Sequence, residues 1–173
     1  GAEGRDRLLN ALLVAYVGVD PVEHRQRAAL LRGHAEARLV HHGEQADHLH
    51  RGGLAAGVAA YIKYVRPEVK VIAVEPEDAA CLKAAMEKQR RVRLKEGGIF
   101  ADGVAVAQIG KETFRVLRKT IDGVITANTD EICAAIKDIF EDTRSIAEPA
   151  GALALAGLKK YIEQEGCEGK TLL

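Results

Sequence analysis

The chain has 173 residues, 47% of them hydrophobic, with 25 basic and 25 acidic residues. That length suffices for one domain with its own core. Balanced charge removes the electrostatic reason to expect a nucleic acid or an anionic membrane as partner, and no apolar run approaches the ~20 residues that span a bilayer.

The opening stretch, "GAEGRDRLLNALLVAYVGVD", has too short an apolar run for a signal peptide, and Asp6 sits among its arginines. It lacks an initiator Met, so the expectation is a fragment or processed product. Composition then changes near residue 50. All six histidines (His24, His34, His41, His42, His48 and His50) lie in residues 24–50, and all eleven lysines lie between Lys63 and Lys170. This divides the chain into a compositionally distinct segment, 1–50, and an orderly one, 51–173, with separate origins as one explanation. "HHGEQADHLH" offers metal-ligand residue types. It has no HxxxH on an amphipathic helix, and it reads as compositional bias with no metal assigned.

From Gly52 onward elements alternate. Residues 54–65 predict a helix of small and apolar residues closed by Pro67. "KVIAVEP" (70–76) predicts a buried strand, and "DAACLKAAMEKQ" (78–89) a helix. "KEGGIFADGVAV" (95–106) reads as a glycine-punctuated loop, "GKETFRVLRK" (110–119) as a helix and "GVITA" (123–127) as a strand. "DEICAAIKDIFED" (130–142) has helical apolar spacing, with Asn128 and Glu131 fitting an N-cap and its N3 partner. "PAGALALAGLKKYI" (149–162) predicts a last helix with Pro149 at its first position. Its small apolar surface is expected to need cover from further chain or a partner. The closing "KTLL" reads as a strand just beginning. The alternation predicts an α/β fold with an open, mainly parallel sheet flanked by helices. Cys81, Cys133 and Cys167 are far apart and odd in number. Neither a zinc site nor a disulfide framework is expected, and the compartment reads as reducing and cytoplasmic.

"RGGLAAGVAA" (51–60) carries the first chemistry. A helix N-terminus presents unpaired N–H groups and partial positive charge, and glycines before it let an anion approach the backbone. The residues alone also allow a plain tight turn with close packing.

The blocks "GGLAAGVAAYIK", "VIAVEPEDAACLKAA", "FADGVAVAQIGKETFRVL" and "DEICAAIKDIFEDTRSIAEPAGALALAGLKKY" occur in one order with tight spacing. Together they resemble the catalytic domain of the biosynthetic threonine dehydratases (threonine ammonia-lyases), in the pyridoxal-phosphate family of the tryptophan-synthase β-subunit type. The resemblance covers residues 52–173. It implies part of the fold type II pyridoxal-phosphate enzyme fold and pyridoxal 5'-phosphate as cofactor. It also implies an amino-acid substrate, a place in isoleucine biosynthesis, and a homo-oligomeric parent.

The resemblance also implies roles for particular residues. Gly52, Gly53 and Leu54 match the end of the family's phosphate loop, a four-glycine run followed by Leu or Met. His50 and Arg51 replace the first two glycines, and "QADHL" stands where a strand like "VFVPV" is expected. Half of the cradle is present. "FADGVAV" puts Gly103 near the pyridoxal ring, although the residues alone equally allow a turn glycine. "AEPAGA" puts Glu148 near cofactor or substrate; it equally complements a helix dipole. "VEPEDAAC" matches a divalent-cation stretch of related serine racemases at Glu75 and the Ala79 carbonyl. Cys81 stands where a carboxylate is expected, so the favoured reading is a strand end with an exposed acidic turn and no metal.

The lysine that bonds the cofactor covalently, in an "SFKxRGA"-like stretch, has no counterpart, nor has the "SxGNHxQ" loop that holds the substrate carboxylate. The expectation is therefore a dehydratase fragment without activity by itself and without an assigned catalytic residue. The alternatives are a non-catalytic α/β module that binds a phosphate ligand or a partner chain, and a rearranged gene product without function.

Overall fold

The computed structural model describes residues 9–15, 52–169 and 171–173. The histidine-bearing stretch 24–50, with its possible metal ligands, and Arg51 lie outside the described residues.

The elements in chain order are β1 (Leu9–Ala15), α1 (Gly53–Val65), β2 (Lys70–Pro76), α2 (Cys81–Glu87), α3 (Lys111–Thr120), β3 (Gly123–Ala127), α4 (Thr129–Thr143), α5 (Pro149–Glu165) and β4 (Thr171–Leu172). Short 3-10 turns occupy Glu77–Ala79 and Asp102–Val104. The four strands among the described residues form one parallel sheet in the order β3-β2-β1-β4. The predicted open parallel sheet flanked by helices is what forms. The strand over residues 9–15 has no counterpart in the sequence-based expectation. It pairs Ala11–Ala15 with Lys70–Val74 of β2.

Each boundary has a local cause. α1 ends before Pro67, which disfavours helix in the residue ahead of it. α4 begins with a capping box. Asn128 Oδ1 accepts the Glu131 N–H at 2.9 Å, and Glu131 Oε2 accepts the Asn128 N–H at 2.7 Å. α5 starts at Pro149 as expected. The helix expected over 78–89 is shorter, Cys81–Glu87, because the Glu75 carboxylate accepts the N–H groups of Leu82 and Lys83 and so fixes where the helix starts.

β2 is buried from Val71 to Pro76, as parallel strands covered on both faces are. Its side chains alternate between two layers. Glu75 bonds to α2, whereas Val74 lies against Gly157 of α5. α1 packs on α3, and α4 on α5. The right-handed crossover rule puts α1–α3 on one face and α4–α5 on the other. Ala150, Ala152, Leu153, Ala156 and Tyr161 of α5 are buried within this chain, while Ala154, Leu155 and Leu158 are half-buried.

At the N-terminal edge of the sheet Lys63 Nζ lies 2.8 Å from Asp122 Oδ2, which also accepts the Val71 N–H at 2.7 Å. This ties the end of α1 to the starts of β2 and β3.

Candidate functional site

In an open parallel sheet, ligands are held at the C-terminal ends of the strands, where the crossover direction reverses. Here that switch lies between β1 and β4, since β1, β2 and β3 progress one way and β4 returns to the other side of β1.

α1 and α5, which carry four of the candidate residues, both start at this edge. α1 ends beside Asp122 at the opposite edge. Its 13 residues rise about 20 Å, so Gly52 sits near the C-terminal ends of the strands. α5 runs antiparallel to β2: Gly157 lies at Val74, while Tyr161 and Gln164 share a groove with Ile72 and Lys70. Its start, Glu148, therefore lies beyond the strand ends. The Asp102–Val104 turn packs on α5.

Gly52 has φ 101°, a left-handed conformation that favours glycine, and no side chain caps the helix behind it. The first bond within α1 runs from the Ala56 N–H to the Gly52 carbonyl at 2.9 Å. The N–H groups of Gly53, Leu54 and Ala55 precede it and have no acceptor inside the helix. A Cβ on Gly53 would meet nothing within 4 Å, so the space beside Gly53 is open. Leu54 is exposed. A positive-φ glycine, three forward N–H groups and a helix dipole fit a phosphate.

Gly103 lies within its turn and donates its N–H to Asp102 Oδ1 at 2.8 Å. Its φ is not positive, so the turn itself does not require glycine there. Glu148 is the N-cap of α5, is exposed, and makes no side-chain cap bond. Its carboxylate is left available at the same edge. The candidates on α1 and α5 thus share one sheet edge, and the turn that holds Gly103 packs against α5.

The same edge holds a cleft of about 150 Å³ between the ends of β2 and β3. Pro76, Asp78, Phe100, Asn128 and Ile132 are among its lining residues, and none of the five candidates is. Asp78 shapes this side. Its Oδ2 accepts the Ile99 N–H at 3.3 Å, and a Cβ on Gly98 would come within 2.6 Å of its Cγ.

Glu75 is not part of an exposed acidic turn. It is 1% exposed, while Glu77 and Asp78 beside it are on the surface. Its Oε1 accepts the Leu82 N–H at 2.7 Å and its Oε2 the Lys83 N–H at 2.8 Å. Burial raises its pKa from 4.5 to about 7, against the opposing effect of those N–H groups. Burial, and then the Glu75 charge, pushes the Cys81 thiol up to about 12. Sequence reasoning missed this cap. Its one signal is a carboxylate inside an otherwise apolar strand, "VIAVEP", a few residues before a helix.

Residues 46–173 match the family described as pyridoxal-phosphate dependent enzyme. The chain belongs to this family of pyridoxal-phosphate dependent enzymes. Within it, the chain is 57% identical over 122 residues to the biosynthetic L-threonine dehydratase of Burkholderia multivorans and 58% over 121 residues to that of Escherichia coli. Each match covers 70% of this chain and 24% of the relative. The mitochondrial threonine dehydratase of Saccharomyces cerevisiae is 58% identical over 111 residues, covering 64% of this chain and 19% of the relative. The chain spans about a quarter of the length of the curated bacterial relatives it matches.

Solved structures agree. The processed form of threonine deaminase isoform 2 from Solanum lycopersicum superposes with TM-score 0.68 at 41% identity, over 70% of this chain and 35% of that one. Serine racemase from Dictyostelium discoideum gives TM-score 0.67 at 25% identity, over 95% of this chain and 42% of that one. These pyridoxal-phosphate enzyme neighbours share the fold type II architecture, of which this chain is a part. No helix among the described residues is long and apolar enough to cross a membrane.

Proposed function

We propose that residues 51–173 are part of the catalytic domain of a pyridoxal-phosphate-dependent threonine dehydratase, which converts L-threonine to 2-oxobutanoate and ammonia. The observation that carries this reading is the 57–58% identity to biosynthetic threonine dehydratases over some 120 residues, combined with a left-handed Gly52 opening α1.

When bound, pyridoxal phosphate supplies an electron sink for loss of the α-proton and the β-hydroxyl. The N–H groups of Gly53, Leu54 and Ala55 hold the phosphate, and Gly52 turns the chain so that they face it. The turn at Gly103 would face the ring, as the resemblance implies. The Glu148 carboxylate accepts hydrogen bonds from cofactor or substrate at the start of α5. The chain has no lysine in the context that bonds the cofactor covalently, so it turns over nothing alone; that lysine belongs to the rest of the parent. The compartment is the cytoplasm in this reading, as for a chain whose cysteines are few, odd in number and far apart in sequence. The parent is a homo-oligomer in this reading.

The test is a graft. Residues 52–173 replace the matching segment of the Escherichia coli biosynthetic dehydratase, and 2-oxobutanoate is measured with L-threonine as substrate. Turnover supports the proposal. A graft that folds and binds pyridoxal phosphate but releases no 2-oxobutanoate contradicts it.

A further inference from the structure

Glu75, the Ala79 carbonyl and Cys81 stand where the resemblance to serine racemases implies a divalent-cation site. The donor set does not fit one. Both Glu75 oxygens already accept short N–H bonds, 2.7 Å from Leu82 and 2.8 Å from Lys83. These donors form the first turn of α2, whose partial positive charge opposes a cation. Magnesium and calcium need about six oxygen ligands, and magnesium keeps several waters. Here Glu75 is 1% exposed and Cys81 0%, which leaves no room for a hydration shell. Cys81 offers a buried thiol here and not a carboxylate. A soft sulfur is in any case a poor ligand for a hard cation.

We infer that the Glu75 carboxylate is a built-in cap for α2, and that the β2–α2 junction stands without any bound cation because the Cys81 thiol occupies the place of a second carboxylate. The carboxylate does internally what a cation with its ligands would do: it pins the end of β2 to the start of α2. It thereby holds the Glu77–Ala79 turn, and through Asp78 the loop at Gly98 and Ile99, at the sheet edge. The inference is independent of the threonine dehydratase reading, because it concerns only how this junction is held.

The test is thermal unfolding of the whole chain in EDTA, in millimolar magnesium chloride and in millimolar calcium chloride. The expected result is no shift in Tm between the three. A saturable rise in Tm with either cation, abolished in Glu75→Gln, overturns the inference. Alkylation with iodoacetamide, mapped by mass spectrometry, provides a measurement that needs no variant. Cys133 and Cys167 react while Cys81 is equally protected with and without magnesium; protection of Cys81 that depends on magnesium overturns the inference.

Discussion

The Leu82 N–H donates to Glu75 Oε1 at 2.7 Å, so a fully buried carboxylate at the end of a strand is the cap of the next helix. Burial outweighs the cap bonds and raises the Glu75 pKa from 4.5 to about 7. Between those values the folded chain keeps a proton that the unfolded chain has lost, so stability falls as pH rises. The contribution is fully present below pH 4.5 and is lost as pH passes about 7, a change of order 3 kcal/mol. Urea unfolding from pH 5 to pH 8 should show this decline, and Glu75→Gln should flatten it. An unchanged slope in that variant would place the pH dependence elsewhere.

At Gly157 the backbone of α5 lies against Val74 of the sheet. A Cβ there would lie 2.6 Å from Val74 Cγ1. Alanine favours helix over glycine by about 1 kcal/mol, but overpacking a core costs about 1–3 kcal/mol. The contact is with a β-branched side chain on a buried strand, which has little freedom to move. Gly157→Ala should therefore lower stability, and adding Val74→Ala should recover part of the loss relative to Val74→Ala alone. Additive effects in that cycle would refute the contact.

The start of α4 rests on Asn128, Glu131 and Lys160. Lys160 Nζ lies 2.9 Å from Glu131 Oε1 and donates to the Thr126 carbonyl at 3.0 Å, which joins α5 to both α4 and β3. Asn128→Ala should cost about 1 kcal/mol through loss of the cap. Lys160→Met should cost a similar amount, about 1 kcal/mol, since the pair is partly exposed. Chemical denaturation reads both.

Local signals made most of the fold legible. The apolar run of β2, the capping box at Asn128 and Pro149 each fix an element within its own residues, and each is found where expected. The strand at Leu9–Ala15 was not legible. Its pairing with β2 is a long-range contact, and its residues sit in a stretch whose composition differs from the rest. The same holds for Glu75. A carboxylate in an apolar strand reads as a surface end until the helix that it caps is folded against it. At the candidate site, the glycines of α1 announced a turn, but the left-handed φ of Gly52 and the open space beside Gly53 are properties of the folded backbone.

The central claim is that the start of α1 holds the phosphate of the cofactor. The direct measurement is thermal unfolding of the chain with pyridoxamine 5'-phosphate and with pyridoxamine, for the native sequence and for Gly53→Asp. The open space at Gly53 accommodates the new side chain, and an acidic residue favours a helix N-terminus, so the variant should fold while repelling an anion. A rise in Tm with pyridoxamine 5'-phosphate, none with pyridoxamine, and none for Gly53→Asp is the predicted result. Equal shifts from both compounds, or a phosphate effect that survives Gly53→Asp, would contradict it.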